Sequence, residues 1–228
     1  MTLVRTAVAA VLLSRGCFAG TLFEFGDAGR DLRTAQVVSG LGPLDAIFGN
    51  LTDIFDVDLY QIGIPSPLLF SAITIDLPGI NVPDQQLSLF DASGRAIYLN
   101  DDDESGMNGS QSFLSPGHPL GPLFGGAHYL GIGWFDNEPL SSGGMMFANV
   151  GNGTSGPGPG GRFPLLAWDD NVINRGDLET GYEIRFTGAT FVPEPSTTLL
   201  TGISVACIVA IRRRGRRGKA FCRRRPTR

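Results

Sequence analysis

The side chains best equipped for chemistry here are oxygen ligands. Asp101-Asp102-Asp103-Glu104-Ser105-Gly106 places side-chain oxygens at the first, third and fifth positions of a loop, with glycine at the sixth. Alternating carboxylates converge on a hard cation and glycine permits the sharp turn, so the run has the front half of a calcium loop. The twelfth position is Ser112 rather than glutamate, so the bidentate closing ligand is missing and an EF-hand is excluded. The expectation is a looser calcium site of Asp101, Asp103 and Ser105, completed by Asp56 or Asp58 where their strand runs nearby. The bland alternative is a solvated acidic turn. Asp136-Asn137-Glu138 and Asp169-Asp170-Asn171 are lesser candidates of the same kind.

Catalysis has little to work with. The two histidines stand apart, His118 between Gly117 and Pro119 and His128 at the start of an apolar run. They make neither a zinc set nor a triad, and no G-x-S-x-G elbow occurs. Cys17, Cys207 and Cys222 all fall in the end segments, so the central region has neither a thiol nucleophile nor a disulfide. Paired carboxylates for glycoside hydrolysis depend on a three-dimensional separation. Trp134, Phe135 and Trp168 could stack on sugar rings or fill a core. The reading is a non-enzyme with calcium as its cofactor.

The elements that must hold these residues are strands. Tyr182, Ile184 and Phe186 alternate with Glu183, Arg185 and Thr187, the pattern of a half-buried strand. Residues 86–90 and 95–99 read as a hairpin turned by Asp91-Ala92-Ser93-Gly94. Further strands are expected at 58–64, 68–75, 110–114, 128–134 and 163–168, separated by turns such as Pro65-Ser66-Pro67 and Gly125-Gly126. Residues 152–161 form a glycine-rich loop within one domain. Many short strands without a long amphipathic helix predict an all-β fold, an antiparallel β-sandwich of jelly-roll type.

Both ends describe export. Residues 1–19 carry Arg5, an apolar stretch and Cys17-Phe18-Ala19, a small-x-small cleavage pattern, and read as a signal peptide cut near Ala19. Gly16-Cys17 also permits a lipoprotein reading, but Arg15 stands where a small residue is wanted. At the other end, Val192-Pro193-Glu194-Pro195 stops any strand, since both prolines lack an N–H. Residues 197–211 are uncharged, and Arg212, Arg213 and Arg214 follow. Fifteen residues of helix reach roughly 22 Å, short for a core of ~30 Å, which suits a single transmembrane helix used as a transient anchor. The region between is acidic: 22 acidic and six basic residues give a balance of −16, which repels nucleic acid and favours divalent cations.

Pro193-Glu194-Pro195, the short apolar span and the arginine cluster together resemble the PEP-CTERM sorting signal of Gram-negative bacteria, over residues 193–217 with a basic tail at 218–228. The resemblance implies recognition and cleavage by an exosortase, a membrane-embedded cysteine transpeptidase. Residues 54–135 resemble the bacterial pre-peptidase C-terminal domain. Asp56, Asp58 and Tyr60, then Phe90, Asp91 and Gly94, then Asp101 to Asp103, then Tyr129, Leu130 and Ile132 occupy its motif positions. That resemblance implies a small non-catalytic β-sandwich within residues 20–192. The expected protein is exported, exosortase-processed and structural or adhesive, at the cell surface, in the extracellular matrix or in a biofilm. The alternative is a calcium-dependent carbohydrate-binding module for exopolysaccharide, favoured where Trp134 and Trp168 are exposed on one face.

Overall fold

Side chains that alternate at period two turn one set to each face of a strand. In the computed structural model, which describes residues 20–75, 84–106, 109–148, 153–170 and 180–194, this pattern becomes fourteen strands. They are β1 (Gly20–Phe23), β2 (Gln36–Val37), β3 (Pro43–Leu51), β4 (Val57–Ile64), β5 (Ser71–Ile75), β6 (Gln85–Phe90) and β7 (Ala96–Asn100). The chain continues through β8 (Phe113–Leu114), β9 (Gly126–Trp134), β10 (Pro139–Ser141), β11 (Gly144–Met145), β12 (Thr154–Ser155), β13 (Leu165–Trp168) and β14 (Thr180–Thr190). The expected signal peptide, Pro195, the 197–211 span, Arg212, Arg213, Arg214 and the basic tail lie outside the described residues.

Eleven strands join in one mixed sheet, and β10, β11 and β13 form a second. In the larger sheet β14 lies between β3 and β5, with β1 beyond β3 and β8 beyond β5. The remaining neighbours run β4, β9, β6, β7, β12, and β2 pairs with β4. Thr190 of β14 meets Gly63 of β4 and joins the two groups. The described residues are nearly all-β, with one short 3-10 turn (Pro67–Leu69) and no α-helix among them. A wholly antiparallel jelly roll has no place for the parallel pairs β1–β3 and β2–β4. Roughly twenty residues separate each of these pairs in sequence, enough for the crossover that parallel pairing requires.

Apolar side chains from both groups meet in the main core. Tyr60, Ile62 and Ile64 of β4 pack there with Leu130, Ile132 and Trp134 of β9, Leu44 and Ile47 of β3, and Ile184 and Phe186 of β14. The opposite face of β4 carries Val57 and Leu59 into a second cluster with Phe90, Leu99, Met146, Phe147, Leu165 and Trp168. Strand β13 supplies two of these, so the small sheet helps cover that face. Each Leu, Ile or Val removed from water this way contributes about 1.5–3 kcal/mol. Coverage on both faces explains why every residue of β6, including Gln85, Gln86 and Ser88, is buried.

The β6–β7 hairpin forms as the turn residues dictate. The Asp91 and Arg95 backbones close it (N···O 2.8 Å), and the Asp91 carboxylate accepts from the amides of Ser93 and Arg95. Gly94 sits at φ +78, and a Cβ there would meet Leu32 Cδ1 at 2.4 Å. Gly94→Ala is expected to cost about 1–2 kcal/mol through left-handed strain and crowding. Urea denaturation measures this, and an unchanged midpoint would show that the turn accommodates a side chain after all.

Candidate cation sites

Alternation along β4 carries a carboxylate to a core-facing position. Asp58 shares the face of Tyr60, Ile62 and Ile64 and is fully buried. Tyr182 of β14 donates to Asp58 Oδ2 at 2.5 Å, and Tyr60 and Tyr182 join hydroxyls at 2.6 Å. A phenol has one proton, so with Tyr182 donating to Asp58, Tyr60 must donate to Tyr182. Burial raises both phenols well above the usual tyrosine range, and they stay neutral.

The N-terminal segment brings two more carboxylates to this place. Pairing of β1 beside β3 delivers Glu24, whose amide donates to the Phe48 carbonyl (2.8 Å). Its carboxylate accepts from the Ala28 and Asn50 amides, both at 2.9 Å, and Asp27 accepts from the Gly29 amide at 3.1 Å. Carboxylate oxygens of Glu24, Asp27 and Asp58 lie within 4.8 Å of one another. Burial pushes the Asp58 carboxyl up to about 8, opposed by the Tyr182 hydrogen bond and reinforced by the charges of Glu24, Asp56 and Asp27. Glu24 is raised too, by burial first, with its two amide bonds working against the shift and Asp27 and Asp56 adding to it. Asp56, just before β4, accepts from the amide and hydroxyl of Thr52 at 2.6 and 2.8 Å.

A second acidic group lies at the far side of the β4–β9–β6–β7 array. Carboxylates of Asp84, Asp101 and Asp102 approach within 4.8 Å of one another. Burial raises Asp102, with Asp84 adding to it. Asp103 instead closes on Ser105, accepting from its hydroxyl at 2.6 Å and its amide at 3.1 Å. Gly106 takes φ +68 and donates to the Asp103 carbonyl (2.9 Å), so the turn anticipated for this glycine forms. The expected completion of this site by Asp56 or Asp58 is corrected by the register. Asp58 faces Ile132, Ile132 faces Leu87 and Leu87 faces Asn100, so three strand spacings, about 14 Å, separate Asp58 from the start of the Asp101 loop.

The two lesser candidates meet each other. β10 pairs with β13, the Glu138 amide donates to Asp169 (2.9 Å) and the Asp170 amide to Asn137 (3.2 Å). Asp170 also ion-pairs with Arg30; Asn171 lies outside the described residues. Glu138 is 3% exposed, and burial pushes its carboxyl up to about 8, with Asp169, Asp136 and Asp101 adding and the Gln86 amide opposing. Sequence spacing gave no sign of Glu24 and Asp27 as partners of Asp58. The signal lay in the period of β4, which puts an acid in line with three core residues.

The aromatic and imidazole groups sit elsewhere. Trp134 and Trp168 are 2% and 5% exposed and lie in different core clusters, so they offer no shared platform for a sugar. His118 stacks on Tyr98 with ring centroids 5.9 Å apart, and His128 is buried with Nδ1 3.1 Å from the Gly126 carbonyl.

The chain leaves the fold abruptly. Phe191 packs in the main core, its amide donating to the Gly42 carbonyl (3.1 Å), and the Val192 amide donates to the Val38 carbonyl (2.8 Å). Pro193 and Glu194 are exposed and begin a separate unit. Residues 191–214 match the PEP-CTERM protein-sorting motif. The PEP-CTERM match contains Pro193, Glu194 and Pro195 as well as Arg212, Arg213 and Arg214. It supports an exported, exosortase-targeted protein whose precursor passes a membrane toward the cell exterior. No curated protein matches the chain.

Proposed function

We propose that this chain is an exosortase-processed protein of the Gram-negative cell surface or extracellular matrix, with a structural or adhesive role rather than a catalytic one. The observation that carries the reading is the PEP-CTERM match beginning at residue 191, where a well-packed β unit ends at Val192. In this reading the uncharged 197–211 span holds the precursor in the membrane until it is cut. The sandwich is of the pre-peptidase C-terminal kind. In support, Asp58 and Tyr60 on β4, Phe90, Asp91 and Gly94 in the β6–β7 hairpin, and Tyr129, Leu130 and Ile132 on β9 fall on four neighbouring strands.

Intact-mass measurement on protein from hosts with and without an exosortase tests the proposal. The processed product is expected to begin near residue 20 and end near Pro195, and to retain 197–211 when the exosortase is absent. Pro193→Ala with Glu194→Ala should block the cut. Released protein that still carries 197–211 in the exosortase-containing host would overturn the reading.

A further inference from the structure

Glu24, Asp27 and Asp58 come from sites 34 residues apart in sequence at most, yet offer oxygens within 4.8 Å of one another. An acidic cluster alone is common, and here a second observation points to a ligand. Asp58 is fully buried, and while Oδ2 takes the Tyr182 hydroxyl, Oδ1 meets no hydrogen-bond donor. A buried carboxylate oxygen left without a donor is costly, and its natural complement is a proton or a cation. Arg30 pairs with Asp170, Arg33 with Asp31 and Arg185 with Glu183, and the charges that act most on Asp58, those of Glu24, Asp56 and Asp27, are all acidic.

The surroundings are built to hold such an ion. Backbone amides of Ala28, Asn50 and Gly29 fix Glu24 and Asp27 from outside the cluster. Gly49, opposite Tyr182 across the β3–β14 ladder, keeps the floor open, since a Cβ there would fall 2.2 Å from Tyr182 Oη and 2.8 Å from Glu24 Oε2. All the ligands are carboxylate oxygens, two from the segment after β1 and one from β4. That suits calcium, with six to eight oxygens at flexible geometry, better than magnesium, which demands a strict octahedron and keeps its waters.

We propose that Glu24, Asp27 and Asp58 form a calcium site that clamps the segment after β1 onto β4, with Asp56 close outside it. The site stands independently of the sorting reading. Its charge environment consists of Glu24 and Asp27 from the N-terminal segment, Asp56 and Tyr60 from the β4 region and Tyr182 from β14.

The test uses the exported protein stripped of metal with a chelator. Calcium is expected to bind with a Kd of ~10⁻⁴ to 10⁻³ M, the range of extracellular modules. Near-saturating calcium should raise the melting temperature by ~5 °C or more, magnesium by less. Terbium, a calcium substitute excited through tyrosine, should emit from the site because Tyr182 touches Asp58. Asp58→Asn should abolish the melting shift. Asp27→Asn, at an exposed position that leaves folding intact, should weaken binding about tenfold. Asp101→Asn with Asp103→Asn should leave all of these unchanged. Calcium that shifts melting no more than magnesium, or a shift that survives both Asp58→Asn and Asp27→Asn, overturns the proposal.

Discussion

With calcium removed, raising the pH from 6.5 to 9 is expected to lower the melting temperature of the exported protein by roughly 5 °C. Two buried acids drive this. Asp58 and Glu138 titrate near 8 in the folded chain, against ordinary values of 3.8 and 4.5. Burial is the main cause for both. The nearby acids Glu24, Asp56 and Asp27 add to it at Asp58, and Asp169, Asp136 and Asp101 at Glu138. A raised folded value means that the folded state holds its proton more tightly than the unfolded chain. The stability so gained is complete below about pH 4 and is lost as the pH rises through about 8. Each group contributes at most ~1.4 kcal/mol per pH unit in that window. Starting at 6.5 avoids His128, whose burial lowers its imidazole and works in the opposite sense at more acid pH. Asp58→Asn and Glu138→Gln should each flatten the profile by about half, because an amide cannot ionise. Thermal melts across the range read the result directly; a profile that is level or rises toward pH 9 excludes both carboxyls as buried acids.

Trp134→Ala should lower stability by about 3–5 kcal/mol, a fall of roughly 10 °C in melting temperature. The indole ends β9 inside the main core at 2% exposure. Its Nε1 donates to the Asp53 carbonyl at 3.1 Å, so truncation both opens a cavity and strips a partly buried acceptor of its donor. Trp134→Phe keeps much of the volume and should cost about half as much. The pair of variants also separates packing from ligand binding. Were Trp134 a sugar platform, Trp134→Ala would leave the melting temperature in place and remove polysaccharide binding instead.

The parts of the fold legible in the sequence are those where alternation and turn chemistry agree. β14 follows from Tyr182, Ile184 and Phe186, and the β6–β7 hairpin from Asp91 to Gly94, because each carries its signal within a few residues. β3 was not legible. Pro43, Asp45, Gly49 and Asn50 give it the composition of a loop, and what makes it a strand is its place between β1 and β14. The expected strands 68–75 and 110–114 contract to β5 and β8, since Pro67 starts a 3-10 turn and Ser112 spends its hydroxyl on the Asp101 carbonyl. The acids divide in the same way. Asp56 and Asp58 stood out by their spacing, but their neighbours Glu24 and Asp27 arrive through a parallel pairing that no local pattern encodes. Asp136–Glu138 and Asp169–Asp170 meet only because β10 pairs with β13. The Asp101 loop had the right residues in the right order, yet Asp103 and Ser105 satisfy each other.

The position of β14 bears on the order of events during translocation. It lies between β3 and β5, so that half of the sheet cannot close until residues 180–190 have arrived. It is also the last strand among the described residues, ending three residues before Pro193. A chain threaded through a membrane N-terminus first therefore carries an incomplete sheet for most of its passage. The strand that joins the two flanks of that half of the sheet directly precedes the matched sorting motif. A passenger that folded early would have to do so without β14, the strand between β3 and β5.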